Sequence, residues 1–484
     1  MNTYKMILEI MKTAERNGNV YIPVDELFAC CSESRQNLSQ TEFSDALAQL
    51  IRDGLLNQEE DRLYFTKTKD HEDAAATALA DILSDNQLPH IQLPDELVCG
   101  DTVLVNEQRQ AVSLALEHRL SIIQGGAGSG KTTLIKAVIQ QYDKKDGPVL
   151  LCAPTGMAAC NLSKHAKSST TTVHRAFENA NREGRTLPYG LVIVDEAGMV
   201  SLTMLSWILS TVRPSCRIVL VGDPNQLPSV GCGNIMPDLL ELGIPHIRLK
   251  SCHRQKDPTG MLARNIRHFD ECLSMGDFGY GSDFMFFPQK DEKVIHQYLC
   301  KVAANLYQEG EDVQVISPYR SYGILSVEKL NEHLRELINP KKDEELYPLH
   351  DGDRVMVTQN DWKQNVFNGD TGTLRLIRRE GREPLYQVTC GDRQAVYDFN
   401  QVMQYLELAY ATTVHKVQGS EYDTIILPVS KRFSHLWTRN LFYTAISRAK
   451  KRVILIGDCE ALEFALKNPL PQRYSMLAEK VNRI

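Results

Sequence analysis

Residues 125–132 read GGAGSGKT, a run that combines closely spaced glycines with a lysine and a hydroxyl group. The spacing G-x-x-x-x-G-K-T is that of a P-loop, whose glycines let backbone N–H groups approach the phosphates of a nucleotide. In such a loop Lys131 would reach the β- and γ-phosphates, and the Thr132 hydroxyl would hold Mg²⁺. The residues expected to surround the phosphates are Gly126, Gly128, Ser129, Gly130, Lys131, Thr132 and Thr133.

A second group of reactive residues follows the apolar run 192–194, where Asp195 and Glu196 stand side by side. An apolar strand that ends in two carboxylates after a P-loop is typical of the Walker B position. There Asp195 would bind Mg²⁺, and Glu196 would orient and deprotonate the attacking water. The two motifs together predict hydrolysis of a nucleoside triphosphate.

These groups must be positioned by strands that end at a common edge. Apolar runs occur at 120–123, 149–152, 191–194, 217–221, 313–316, 424–427 and 453–456. They alternate with helical patterns, which predicts parallel sheets covered by helices, with ligands bound beyond the carboxyl ends of the strands. Seven runs are too many for one P-loop sheet of usual size, and they divide near residue 250. We therefore predict two sheet domains.

Two further regions have a different pattern. Residues 1–65 predict helices followed by two short strands around the acidic turn 58–61, which fits either a winged-helix module or a plain helical adaptor. A further helix is predicted from Glu72 to Leu83. Between 351 and 400, short apolar runs separated by Asn-Gly and Gly-Asp turns predict a small inserted β-barrel.

Composition limits the class of protein. The chain has 484 residues, 43% of them hydrophobic, and a net charge of −7. This composition predicts several folded domains, and the charge argues against a broad polyanion-binding face, so nucleic acid would need a focused groove. No apolar run could span a bilayer and no signal peptide is visible, so we expect no membrane association and a cytoplasmic location. The twelve cysteines include no C-x-x-C pair, which favours core thiols over a zinc site or disulfides.

The sequence GDPNQLPSV at 222–230 resembles motif III of superfamily-1 helicases, in the RecD-like branch that is related to the Pif1 and Dda types. Other segments are similar to motifs of that family in the same order. They are QRQAV (108–112), APTGMAA (153–159), TTVHRAF (171–177), LKSCHRQ (249–255), LAYATTVHKVQGSEYD (408–423) and LFYTAISRAKKRVILIGD (441–458). The resemblance covers roughly residues 45–465.

The resemblance implies an α/β fold of two RecA-like P-loop parallel-sheet domains with a small inserted SH3-like β-barrel and an N-terminal helical or winged-helix domain. The implied division is 1–95 for the N-terminal domain and 96–250 for the first RecA-like domain. Residues 251–345 and 401–484 would form the second RecA-like domain, with the barrel at 346–400. A short hairpin insert is expected near 178–190, where relatives carry the hairpin that splits a duplex.

The same resemblance implies roles for individual residues. Gln108 would read the adenine of ATP, and Gln226 would couple the γ-phosphate to domain movement. Arg254 and Arg448 would act as arginine fingers, completing the site when the two domains close. The residues expected to hold the backbone of single-stranded DNA are Pro154, Thr155, His174, Thr413, His415, Lys416 and Gln418. Trp362, Phe367 and Tyr319 would either stack on bases or belong to the core.

The leading hypothesis is an ATP-dependent DNA helicase that uses Mg²⁺ and moves 5′→3′ on the single strand of a tailed duplex. The short 178–190 segment leaves a second hypothesis open. In it the chain is a DNA-stimulated ATPase or ATP switch that works through a partner such as a nuclease, docked on the N-terminal domain. An RNA helicase is a third hypothesis, disfavoured because motif III belongs to a mostly DNA-directed branch.

Overall fold

The structure, a computed structural model, describes residues 2–100, 102–126, 128–166, 168–249, 284–340, 349–377 and 385–484. Two parallel sheets form its main body, and smaller antiparallel sheets precede the first and interrupt the second. All seven apolar runs predicted as strands are strands, and they divide between the two parallel sheets on either side of residue 250.

The N-terminal region combines three helices with a three-stranded antiparallel sheet of order β1-β3-β2. Its elements are α1 (Thr3–Arg16), β1 (Tyr21–Pro23), α2 (Val24–Ser34), α3 (Gln40–Arg52), β2 (Leu56–Glu59) and β3 (Arg62–Phe65). The amphipathic faces of the helices meet the sheet around Leu27, Leu50 and Leu63, which are fully buried. The long helix α4 (Thr66–Ser84) contains the predicted helix 72–83 and packs against the next domain.

The first sheet has six parallel strands in the order β11-β6-β10-β9-β7-β8. Its strands, with the short pair β4–β5 that precedes them, are β4 (Val98–Cys99), β5 (Thr102–Val103), β6 (Leu120–Gly125), β7 (Val149–Ala153), β8 (Thr171–Thr172), β9 (Leu191–Val194), β10 (Arg217–Gly222) and β11 (His246–Leu249). The helices are α5 (Asn106–Glu117), α6 (Lys131–Gln141), α7 (Gly156–Ala166), α8 (Val173–Arg182), α9 (Leu202–Thr211) and α10 (Ile235–Glu241).

Both faces of the first sheet are covered, which explains why its strands are continuous apolar runs. Along β10, Ile218 and Leu220 belong to the core on one face, while Val219 and Val221 belong to the core on the other. The register pairs Gly222 of β10 with Gln124 of β6, so the two strands end at the same level. The loops that follow them therefore share one edge.

The second half of the chain contains a five-stranded parallel sheet and an inserted antiparallel sheet. The strands are β12 (Phe284–Pro288), β13 (Val313–Ser317), β14 (Arg354–Val357), β15 (Thr371–Ile377), β16 (Leu385–Cys390), β17 (Arg393–Tyr397), β18 (Leu406–Leu408), β19 (Ala411–Thr413), β20 (Tyr422–Val429) and β21 (Ala449–Gly457). The helices are α11 (Glu292–Gln308), α12 (Val327–Ile338), α13 (Phe399–Tyr405), α14 (Arg439–Ile446) and α15 (Cys459–Lys467).

The second sheet has the order β12-β21-β20-β13-β19 and is parallel throughout. Strands β14 to β18 form the inserted antiparallel sheet, of order β17-β16-β15-β14-β18. The short strands predicted between 351 and 400 are confirmed as β14, β15, β16 and β17. In this sheet the buried Asp370 accepts two hydrogen bonds of 2.6 Å from the Arg393 guanidinium.

The C-terminal segment returns to the beginning of the chain. Helix α16 (Leu477–Arg483) packs on α4 and α10, and the Lys480 ammonium lies 3.0 Å from the buried Glu72 carboxylate. Just before this helix, Val20 N–H donates to the carbonyl of Tyr474. The last residues thereby attach the N-terminal helices to the first sheet.

One expectation from the sequence is not met in the first half of the chain. Residues 178–190 form no hairpin: α8 continues to Arg182, and the loop after it makes a single parallel bridge between Leu187 and Val212. The helical periodicity of VHRAFENANR, with Val173, Phe177 and Ala180 buried on one face, accounts for the longer helix.

None of the helices within the described ranges is both long and apolar enough to cross a bilayer.

Candidate nucleotide and nucleic-acid site

The P-loop connects β6 to α6, as its sequence predicts. Gly128 and Gly130 have φ values of 74° and 82°, in the left-handed region that glycine adopts most readily. The Lys131 ammonium lies across the loop and donates to the carbonyl oxygens of Gly125 at 2.6 Å and Gly126 at 3.1 Å. The loop and the start of α6 thus present backbone N–H groups, a cation and the Thr132 hydroxyl at one place, which fits nucleotide phosphates.

The acidic pair follows β9, which is separated from β6 by β10 in the same sheet. Asp195 Oδ1 accepts a hydrogen bond of 2.9 Å from the backbone N–H of Glu196, and Glu196 has a φ of 51°. Burial and the adjacent Glu196 raise the pKa of Asp195, whereas the nearby Lys131 ammonium opposes that rise. Two acids crowded at a partly buried site favour a divalent cation, and carboxylate oxygen is a ligand that Mg²⁺ prefers. The residues therefore fit the Mg²⁺ that the motif predicts.

The loop after β10 touches the second half of the chain through helix α14. Tyr443 Oη donates to Asp223 Oδ2 at 2.8 Å, and Leu227 N–H donates to Thr444 Oγ1 at 2.8 Å. The Asn440 amide adds a hydrogen bond of 3.1 Å to the carbonyl of Asn225. We call this contact, between residues 223–227 and α14, the α14 junction. The predicted Gln226 is buried within this loop.

The two predicted arginine fingers have different outcomes. Arg448 is only 5% exposed, and its guanidinium donates to the carbonyls of Thr444 and Ser420 and to Ser447 Oγ. It is therefore held by groups of its own half of the chain, just beyond the α14 junction. Arg254 lies outside the described residues. Contact of either side chain with a nucleotide stays a prediction.

Gln108 is buried on α5, and its side-chain oxygen accepts a hydrogen bond from the Val105 N–H at 3.2 Å. The side chain thus closes the first turn of its own helix. This arrangement fixes the position of the amide, while the predicted contact with adenine stays a prediction.

The first predicted DNA segment, residues 154–161, follows β7. Pro154 is buried, and Thr155 Oγ1 accepts from the Ala158 N–H at 3.2 Å, so this hydroxyl caps the start of α7. His174 is exposed at the start of α8, where its ring meets the edge of Trp207 with centroids 5.4 Å apart. Because β7 and β8 are paired, the two loops lie side by side at the sheet edge.

The second predicted DNA segment, residues 413–419, follows β19. Thr413 is half-buried and His415 is exposed, but the Lys416 ammonium forms an ion pair with Glu407. The Gln418 side chain is 3% exposed, and neither of its amide atoms has a hydrogen-bond partner among the described residues. Its side chain is therefore buried in this structure, and its contact with nucleic acid stays a prediction.

The two predicted DNA segments meet directly. The Asn161 side-chain amide donates to the carbonyl of Gly419, whose φ is 83°. A Cβ added at Gly419 would lie 3.2 Å from the backbone nitrogen of Ala158, so the close approach suits glycine. Beside the second segment lies a cavity of about 390 Å³ that Thr413, Lys416 and Glu407 help to line.

The aromatic candidates divide between surface and core. Tyr319 is buried in the core that covers one face of the second sheet, and Phe367 is buried against Gly156. Trp362 is 41% exposed, and its ring lies 4.5 Å from the guanidinium carbon of Arg175. Of the three, only Trp362 is exposed to solvent.

Sequence reasoning missed several residues that shape these sites. Glu407 neutralises Lys416, Asn161 joins the two DNA segments, and Asn440 helps to form the α14 junction. Tyr443 and Thr444 lie inside a motif that we recognised, but its spacing gave no sign that their hydroxyl groups reach the loop after β10. Their partners are more than 200 residues away in sequence.

Comparison with known proteins places the chain in a family. Residues 103–271 match the model for an AAA domain, and residues 408–456 match that for the UvrD-like helicase C-terminal domain. The chain is 31% identical over 397 residues to the RecBCD enzyme subunit RecD of Mycolicibacterium smegmatis, covering 72% of this chain and 70% of that protein. This chain belongs to the RecD-like superfamily-1 DNA helicases.

Two further likenesses accompany this assignment. The RecD-like chain is 32% identical over 394 residues to the ATP-dependent RecD2 DNA helicase of Deinococcus radiodurans. That match covers 78% of this chain and 52% of the relative, so the chain spans about half the length of RecD2. Among solved structures, the Bacteroides Pif1 helicase in complex with ADP-AlF3 and ssDNA is 21% identical, with a TM-score of 0.41, covering 73% of this chain and 92% of Pif1.

Proposed function

We propose that this chain is an ATP-dependent DNA helicase of the RecD-like type that moves 5′→3′ on single-stranded DNA. The observation that carries the proposal is the α14 junction. It joins the loop after β10, at the edge that carries the P-loop and the acidic pair, to the helix that leads to Arg448. The nucleotide site at the edge of the first sheet is thereby mechanically connected to the second sheet. The direction of movement rests on the family resemblance.

The first sheet supplies the hydrolytic groups. When bound, ATP supplies the scissile phosphoanhydride, and Mg²⁺ supplies positive charge that offsets the negative phosphate oxygens. Lys131 leaves the carbonyls of Gly125 and Gly126 to contact phosphate oxygens, and Thr132 and Asp195 hold the cation. Glu196 orients a water molecule and accepts its proton.

The second sheet completes the site on closure. Arg448 exchanges its hydrogen bonds to Thr444 and Ser420 for contacts with the γ-phosphate, and Arg254 contributes a second guanidinium. Gln226, at the α14 junction, senses the γ-phosphate and transmits its presence to α14. Hydrolysis removes these contacts, so the two sheets separate again.

The DNA strand is held by residues 154–161 of the first sheet and 413–419 of the second. Hydroxyl, imidazole and ammonium groups suit phosphate and sugar, which carry no sequence information. Because one segment belongs to each sheet, closure and reopening change their separation and move the strand. Trp362, the exposed one of the three aromatic candidates, would stack on a base once the Arg175 guanidinium moves aside.

Two finer assignments support this function. Residues 1–95 form a winged-helix domain, supported by three helices with a three-stranded antiparallel sheet. Residues 346–400 form an SH3-like barrel, supported by the order β17-β16-β15-β14-β18, of which the last strand, Leu406–Leu408, extends beyond that range. For the rest of the chain we propose 96–250 as the first RecA-like domain and 251–345 plus 401–484 as the second.

The deciding experiment is strand displacement by the purified chain on duplexes with a 5′ or a 3′ single-stranded tail. We expect ATP- and Mg²⁺-dependent unwinding of the 5′-tailed substrate, and ATPase activity stimulated more by single-stranded DNA than by RNA. ATPase rates that are equal with and without any oligonucleotide would reject the motor. Unwinding of the 3′-tailed substrate alone would reverse the assigned direction.

A second candidate function is a DNA-stimulated ATPase that acts through a partner protein. It is favoured by the absence of a hairpin at 178–190, all of which is described, because strand separation then has no evident wedge there. The M. smegmatis relative is named as a subunit of the RecBCD enzyme. ATPase activity stimulated by DNA, without unwinding of either tailed duplex, would favour this candidate.

A further inference from the structure

A group of metal-ligating side chains lies away from both candidate sites. Among the described residues, His296 and Cys300 stand one turn apart on α11, and His333 faces them from α12. One donor atom from each residue lies within 4.8 Å of the others. The pattern escaped sequence analysis because it contains no C-x-x-C pair and its third member is 33 residues further along.

The spacing of the donors is close to that of a coordinated metal. His296 Nδ1 lies 3.4 Å from His333 Nδ1, and Cys300 Sγ lies 4.0 Å from His296 Nε2. Around a tetrahedral Zn²⁺, with bonds of about 2.0–2.3 Å, neighbouring ligand atoms are separated by about 3.3–3.7 Å. One nitrogen of each ring and the sulfur lie within 4.8 Å of one another, so small side-chain adjustments would bring all three onto one ion.

The two kinds of ligand differ in how burial affects them. Burial and the neighbouring His333 lower the pKa of His296. The carbonyl of Lys329 accepts from the same ring, the kind of contact that orients metal-bound histidines. Burial raises the pKa of the Cys300 thiol to about 12, so coordination requires that its proton pass to solvent.

We propose that His296, Cys300 and His333 bind one Zn²⁺ ion, with a water molecule as fourth ligand on the half-buried side of His333. Two imidazoles and a thiolate suit a borderline-soft cation and do not suit Mg²⁺. The site is distinct from the P-loop, because its ligands lie on α11 and α12 in the second half of the chain.

The position of the site gives the metal a structural consequence. It would join α11 to α12, and α12 holds the start of β19 through Asn331, which accepts from Ala411 N–H at 2.7 Å and donates to Ala411 O at 2.9 Å. Strand β19 leads into the 413–419 segment. Zn²⁺ would therefore stabilise the support of one proposed DNA contact, since an ion that binds only the folded state raises its stability.

The test uses the full chain, stripped with a chelator and then titrated with Co²⁺ in excess Mg²⁺, which occupies the carboxylate sites. We expect tetrahedral cobalt absorption and a thiolate-to-cobalt charge-transfer band that saturate at one equivalent and are displaced by Zn²⁺. Cys300→Ala should abolish the charge-transfer band, and His333→Asn should weaken binding by about tenfold or more. Cys459→Ser, which changes a half-buried thiol outside the cluster, should leave both bands unchanged.

Thermal unfolding gives an independent readout. Zn²⁺ should raise the melting temperature of the wild type and of Cys459→Ser but not of His333→Asn. If Cys300→Ala fails to fold, the half-buried His333 variant decides the question. Cobalt bands that titrate in His333→Asn with the wild-type affinity, or no saturable band in the wild type, would overturn the proposal.

Discussion

The two parallel sheets hold their functional residues in different ways. On the first sheet, Lys131, Asp195 and Glu196 already converge at one edge, where Lys131 influences the pKa of Asp195. On the second sheet, the two cations predicted to contact ATP and DNA are bonded to other protein groups. Arg448 donates to carbonyls of its own half, and Lys416 is paired with Glu407.

This difference has a physical basis. The first site is built on strand ends and a glycine loop, so the backbone positions its groups without a ligand. Arginine and lysine have long side chains that bond to the nearest oxygen atoms until a stronger anion is present. The comparison teaches that the acidic groups of the hydrolytic half are preformed. The cations, which are Lys131 in that half and Arg448 and Lys416 in the cationic half, become active only after they change partners.

The largest expected effect tests the preformed half. Glu196→Gln removes the proton acceptor while keeping the size of the side chain, so we expect ATP turnover to fall by at least about 10³-fold. The measurement is steady-state ATPase with saturating single-stranded DNA. Glu178→Gln, on a surface ion pair of α8, is the matched control and should be neutral. Wild-type turnover in Glu196→Gln would remove this residue from the mechanism.

Arg448→Lys tests the cationic half. Lysine keeps the charge but loses the planar fork, so we expect kcat to fall by about 10²-fold while ATP affinity changes by less than about tenfold. Arg452→Lys is the control, because Arg452 lies in the same motif and pairs with Glu311 at 3.3 Å. Equal loss in the two variants would mean that only the stability of the second sheet had changed.

Thr444→Val tests the connection between the halves. The buried Leu227 N–H loses its acceptor, which costs about 1–3 kcal/mol and weakens the attachment of the loop after β10 to α14. We expect the stimulation of ATPase by single-stranded DNA to fall by about tenfold, with smaller loss of the basal rate. Thr444→Ser keeps the hydroxyl and should behave as wild type. Undiminished stimulation in Thr444→Val would show that coupling bypasses this junction.

The smallest expected effect concerns Lys416. Glu407→Gln releases its ammonium, so affinity for single-stranded DNA should rise by up to about fivefold, with a steeper salt dependence. The control is Glu332→Gln, which removes a charge lining the same cavity but paired with Lys329. If both variants bind DNA equally, the pairing of Lys416 has no specific role.

Sequence predicted the parts of this molecule that depend on local pattern. Strands such as 191–194 and 217–221 were readable because residues buried on both faces leave no polar alternation. The P-loop was readable because Gly130 and Lys131 must stand at the start of a helix. The expectation of a hairpin at 178–190 was wrong because it came from relatives. The first of these residues instead continue helix α8, which ends at Arg182.

The remaining features depend on contacts that sequence spacing does not encode. Gln418 lies in a motif expected to hold DNA, yet its side chain is buried. Tyr443 contacts Asp223 only because the two halves of the chain meet at the α14 junction. The zinc ligands proposed on α11 and α12 likewise become neighbours only through helix packing.

The central claim is that Arg448 changes partners when the nucleotide site is filled. The most direct measurement is a structure of the chain with Mg²⁺, ADP-aluminium fluoride and a single-stranded oligonucleotide. The account predicts that the Arg448 guanidinium leaves the carbonyls of Thr444 and Ser420 and lies about 3 Å from the phosphoryl mimic. A filled site with Arg448 still bound to those two carbonyls would contradict it.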